Sequence, residues 1–137
     1  MTHIDFVSSP RPTVGVEMEL ELINRETREL VSGGHEILTE MGEPFGEVGH
    51  PKAKKELLQS TIEIITGICE TAGDATADLA ATLEEVTAYT ERRGLLLMCA
   101  GSHPFSNPML QEITPNDRYR RLVQEMQWPA RQMQIFG

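Results

Sequence analysis

"TVGVEMELELIN", residues 13–24, alternates apolar and polar positions: Val14, Val16, Met18, Leu20 and Leu22 fall between Gly15, Glu17, Glu19 and Glu21. In an extended chain this period of two puts the apolar side chains on one face and three carboxylates in a row on the other. The plain reading of that row is a solvated strand face. Yet like charges spaced ~6.5–7 Å along one face repel one another, and glutamate is a poor strand former. A hard divalent cation would relieve the repulsion, because Mg²⁺ takes carboxylate oxygens as ligands.

Outward from this stretch, "NRETRE" (24–29) supplies a polar reversal and "LVSGG" (30–34) a short return strand. Residues 35–51 are rich in Gly and Pro and read as a loop with a helical turn or two around Ile37–Met41. "KKELLQSTIEIITG" (54–67) reads as a buried strand, in which Glu56 and Glu63 are conspicuous because a buried acid is costly without a cation or donor. Their odd separation would point them to opposite faces of a regular strand. Either a bulge intervenes or Glu56 lies outside the strand.

The clearest helix follows. Asp74 and Asp78 complement its positive N-terminal end, Leu79, Leu83, Val86 and Tyr89 or Thr90 form an apolar stripe, and Arg92, Arg93 and Gly94 close it. "LLLMCAG" (95–101) is a buried strand. A second helix is expected from Thr114 as N-cap and Pro115 as first residue, with Tyr119, Leu122, Val123 and Met126 on one face and Pro129 as its stop. "RQMQIFG" (131–137) alternates like a strand to the last residue. The expected fold class is α+β, a mostly antiparallel sheet with helices packed on one face. A loose lead-in over 1–12 would precede a single domain over 13–137.

Composition narrows the partners. Twelve basic against twenty-one acidic side chains give a net charge of −9, a balance that repels nucleic acid and anionic lipid. No apolar stretch approaches the ~20 residues of a membrane span. Cys69 and Cys99 sit in apolar surroundings without metal-ligand spacing and read as buried free thiols in a reducing, cytoplasmic compartment. No phosphate-binding glycine loop, dinucleotide fingerprint or serine-hydrolase elbow is present.

The remaining polar candidates have ordinary explanations as well. His103 in "GSHPF" can serve as a ligand or acid–base group, or be hydrogen-bonded in a turn before proline. Arg118, Arg120 and Arg121 around Tyr119 can clamp a carboxylate or phosphate, or form a solvated basic face.

Four blocks in order, "GVEMELELI" (15–23), "KKELLQSTIEIITGIC" (54–69), "GSHPFSNPMLQEITPNDRYRRL" (101–122) and "ARQMQIFG" (130–137), resemble glutamate–cysteine ligase family 2, the bacterial carboxylate–amine ligases related to glutamine synthetase. The resemblance implies a glutamine-synthetase-like catalytic fold with a concave acidic sheet face. It implies ATP-dependent phosphorylation of the glutamate γ-carboxylate, then attack by the amine of cysteine or another amine. Mg²⁺, with Mn²⁺ able to substitute, would be held by Glu17, Glu19, Glu56 and Glu63, whose odd spacing the family shares, which favours the bulge. Arg118, Tyr119, Arg120 and His103 are candidates for substrate binding, and no covalent nucleophile is implied. In the family the last strand continues into a His-rich segment, so this chain is expected to be an N-terminal portion, inactive alone, with sheet edges that favour self-association. The competing expectation is a non-catalytic acidic module that binds cations or partners.

Overall fold

In a computed structural model that describes residues 10–131, the alternating segment forms β1 (Glu17–Asn24), which pairs on both sides. The sheet has four antiparallel strands in the order β2 (Ala53–Lys55), β3 (Thr61–Ile65), β1 and β4 (Leu95–Met98). Most of the lead-in and the strand expected at the chain's end lie outside the described residues. The α+β expectation holds.

The pleat sorts β1 as its sequence demands. Met18, Leu20 and Leu22 join Ile62 and Ile64 of β3 in the main core, covered by α1 (Gly34–Gly42) through Ile37, Leu38 and Met41 and by α2 (Ala72–Glu91) through Val86, Leu79 and Leu83. α2 begins with a capping box: Thr71 Oγ1 accepts from Asp74 N at 3.1 Å, and the Asp74 carboxylate accepts from Thr71 N at 2.9 Å. Gly94, with a φ of 68°, turns the chain from α2 into β4. At the far end of α2, Arg92 and Arg93 both pair with Glu40 of α1 and tie the two helices together.

The loop expected over 35–51 is corrected. α1 occupies its first half and a 3₁₀ segment, Glu43–Val48, the second. Its apolar residues Ile37, Leu38 and Met41 recur at helical spacing and reach the core, so burial overrides the glycines at both ends. Gly34 is required where it stands: a Cβ there would lie 2.8 Å from Gln59 O. The same close approach lets Gly34 N donate to that carbonyl at 2.7 Å.

Smaller corrections concern local chemistry. The return strand at 30–34 is a single bridge, Ile23 to Leu30, because the chain turns into α1 at once. The long strand expected over 54–67 is two strands, β2 and β3, joined by a reversal. α3 (Asp117–Met126) starts later than expected, capped by Asn116, whose Oδ1 accepts from Arg118 N at 2.8 Å. It ends at Gln127, with a φ of 52°, before Pro129, which instead lies within the short α4 (Trp128–Arg131). The strand expected to be buried over 95–101 is half-buried beyond Leu95, and Cys99 just past its end is exposed, while Cys69 is buried.

Candidate metal centre on the open sheet face

The sheet face opposite α1 and α2 carries the acids. Glu19 of β1 is directly opposite Glu63 of β3, a like-charge pair that destabilises a ladder unless something neutralises it. The third acid, Glu56, comes from the β2–β3 reversal and lies outside both strands. The bulge favoured by the family spacing is therefore replaced by the other alternative: reversal of the chain after Lys55 swings Glu56 back over the sheet. One carboxylate oxygen from each of Glu19, Glu56 and Glu63 lies within 4.8 Å of the other two, and all three residues are half-buried.

Six oxygens around Mg²⁺ at ~2.1 Å stand ~3 Å apart when adjacent and ~4.2 Å when opposite. Rotamer adjustments of an ångström or so bring the three carboxylates within that range. The electrostatics agree with a clustered, partly desolvated site. Burial, then the charges of Glu56, Glu17 and Glu19, hold the Glu63 carboxyl above the usual range, with Lys54 across the β2–β3 ladder opposing them. Lys54 Nζ also donates to His50 O at 2.9 Å.

The row in β1 divides differently from its sequence. Glu17 is exposed at the outer end and stands outside the three-acid set, although its charge reaches Glu63. Glu21, which alternation puts on the same face as Glu17 and Glu19, is 0% exposed, and among the described residues neither of its carboxylate oxygens has a hydrogen-bond partner. Burial raises its pKa from 4.5 to about 7. The cause is coverage: Glu21 is flanked by Thr61 of β3 and Met98 of β4, whereas β4 does not reach Glu17 or Glu19. The apolar run "LLLM" of β4 was the available sign that this end of the face is covered.

α3 borders the cluster. Tyr119 packs with Leu122 and Val123 against Leu57 and Leu58, and its hydroxyl donates to Lys55 O at 2.9 Å. Burial and the neighbouring charges of Glu56 and Glu63 raise its pKa, against the pull of Arg118. The arginines separate in the same way. Arg120 pairs with Asp117 at 3.4 Å and Arg121 with Glu125 at 2.9 Å, both exposed pairs along the helix. Arg118 has no acidic partner among the described residues, and its guanidinium lies 5.9 Å from the Tyr119 ring centre.

His103 is buried away from this group. Its Nδ1 accepts from Ser106 N at 3.0 Å, which leaves the proton on Nε2 to donate to Arg28 O at 2.9 Å. Both ring nitrogens thus fasten the 103–106 turn to the β1 reversal, and Ser106 Oγ accepts from Leu30 N at 2.9 Å beside them.

Helices on one side and converging carboxylates on the other define an α+β arrangement with an acidic sheet face. The chain belongs to glutamate–cysteine ligase family 2, whose sequence profile matches residues 13–137. Relatives that carry the provisional name glutamate–cysteine ligase 2-1 include one from Frankia alni, 48% identical over 135 residues, 98% of this chain and 35% of the relative. Another, from Arthrobacter sp. (strain FB24), is 46% identical over 138 residues, 98% of this chain and 36% of the relative. A third, from Mycobacterium sp. (strain JLS), is 46% identical over 136 residues, covering 99% and 35%. The chain thus spans about a third of the length of the curated relatives it matches.

Among the described residues no helix is long and apolar enough to cross a membrane.

Proposed function

We propose that the full-length protein is an ATP- and Mg²⁺-dependent carboxylate–amine ligase that joins the γ-carboxylate of glutamate to the amine of cysteine. The observation that carries this reading is the convergence of Glu19, Glu56 and Glu63 on the open sheet face, in a chain of the glutamate–cysteine ligase family. When bound, Mg²⁺ supplies charge neutralisation to the ATP phosphates. Glu19, Glu56 and Glu63 would hold it, and Glu17, exposed at the rim, would be a further oxygen donor.

The proposed reaction is the one that resemblance to the family implies. A γ-carboxylate oxygen of glutamate attacks the terminal phosphorus of ATP and ADP leaves. The amine nitrogen then attacks the acyl carbon, phosphate leaves, and the nitrogen gives up its proton. No enzyme nucleophile is needed, so the protein's contribution is placement and electrostatics. Arg118, without an acidic partner among the described residues and beside the Tyr119 ring, would take a substrate carboxylate or a phosphate. Arg120 is already committed to Asp117. A reducing cytoplasmic setting suits both the thiol substrate and the free thiols of the chain.

The test is phosphate release from ATP by the full-length product. It should require glutamate and an amine together, and Glu63→Gln should lower turnover by at least ~100-fold, the scale set by loss of one transition-state electrostatic contact. Normal turnover in that variant would leave these acids as a cation-binding or assembly surface only.

A further inference from the structure

Of the three clustered acids, Glu19 and Glu63 are fixed by the strand ladder, whereas Glu56 depends on how the β2–β3 reversal is held. Beyond Glu56 the reversal is tied at Gln59, whose O accepts from Gly34 N at 2.7 Å and whose N donates to Glu112 O at 2.9 Å, and at Leu57, whose O accepts from Thr114 N at 2.9 Å and whose N donates to Glu56 Oε2 at 3.0 Å. At the near end, where β2 leads into Glu56, the tie from outside the sheet is the Tyr119 hydroxyl on Lys55 O at 2.9 Å. Repulsion from the other two acids pushes Glu56 outward from this point. The Tyr119 ring is wedged against Leu57 and Leu58 on the other side of Glu56.

Resting on the reading of the three acids as a cation site, we propose that Tyr119 is a positioning residue for Glu56: its hydroxyl latches the Lys55 carbonyl and so sets the affinity of the site for a divalent cation. The latch accounts for where the phenol proton goes, since a hydroxyl has one proton to donate and Lys55 O takes it. This differs from a role in binding glutamate or the amine, which would draw on the same hydroxyl.

Tyr119→Phe in the full-length protein removes the hydroxyl and keeps the ring. Mn²⁺ affinity, read by electron paramagnetic resonance without substrates, should weaken about 10-fold, as for loss of a contact that orients a ligand. At saturating Mn²⁺, kcat and the KM values for glutamate and amine should return to within about 2-fold of wild type, a recovery that a lost substrate contact would not show. Leu122→Ala loosens the same packing without touching the latch, and should lower Tm while leaving Mn²⁺ affinity unchanged. Unchanged Mn²⁺ affinity in Tyr119→Phe with a raised amino-acid KM would overturn the proposal in favour of substrate binding, and equal weakening in Leu122→Ala would reduce it to general loosening. Glu56→Gln separates the two levels: if it leaves Mn²⁺ affinity intact, the cation site itself is wrong, and if it abolishes binding while Tyr119→Phe has no effect, only the latch is wrong.

Discussion

The two faces of β1 come from one nine-residue alternation over 14–22, and both pass from solvent into cover along it, one with apolar side chains and the other with carboxylates. On the helix side, exposure falls from Val16 through half-buried Met18 to Leu20 and Leu22, which are buried in the core that α1 and α2 share. On the acid side, exposure falls from Glu17, open to solvent, through half-buried Glu19 to fully buried Glu21. Alternation assigns a side chain to a face. What the side chain meets there depends on which strands and loops reach that position, and β4 reaches only the Glu21 end.

The strongest challenge to the helix-covered face is Leu22→Ala. Leu22 is 0% exposed, and truncation should cost about 3–5 kcal/mol by urea unfolding, from lost transfer energy plus an unfilled cavity. A loss below about 1 kcal/mol would mean that this face is not the rigid one.

The next effect belongs to the covered end of the acid face and depends on pH. Because the folded pKa of Glu21 is raised from 4.5 to about 7, the native state holds a proton that the unfolded chain has released within that window. Its contribution is fully present below about pH 4.5 and is lost as pH rises through about 7. The sign follows from the native state binding more protons, and the size is at most about 3 kcal/mol. Glu21→Gln keeps the neutral shape at every pH. In chelator-treated protein it should match wild type near pH 5 and exceed it near pH 8, and equal pH slopes for the two proteins would contradict the burial argument.

The open end of the acid face is sharpened by adding metal. With Mg²⁺ at about a hundred times its dissociation constant, the folded state should gain about 2.7 kcal/mol. The rise in Tm should vanish in Glu19→Gln and persist in Glu21→Gln, which would show that neighbouring acids on one strand face have separate roles. The smallest effect returns to the helix side: Thr71→Ala removes the capping box of α2 and should cost about 1 kcal/mol, with no change in metal response.

The sequence by itself determined the sheet's two-sided character, the existence and face of α2, the existence of β4 and the candidacy of Glu19, Glu56 and Glu63, because each rests on local periodicity, an apolar run or an acid within one. Helix α1 was less legible, since glycines bracket a short apolar pattern whose payoff is contact with β2 and β3. Only tertiary structure decided that 54–67 reverses after Lys55, which delivers Glu56 to the same side as Glu63. Likewise, only the third dimension spent both nitrogens of His103 on backbone, separated Arg118 from its paired neighbours, and buried Glu21 while leaving Glu17 in water. Periodicity reports the direction of a side chain from its own backbone, whereas charge state, coverage and partnership are set by residues distant in the chain, and no local pattern encodes where those arrive.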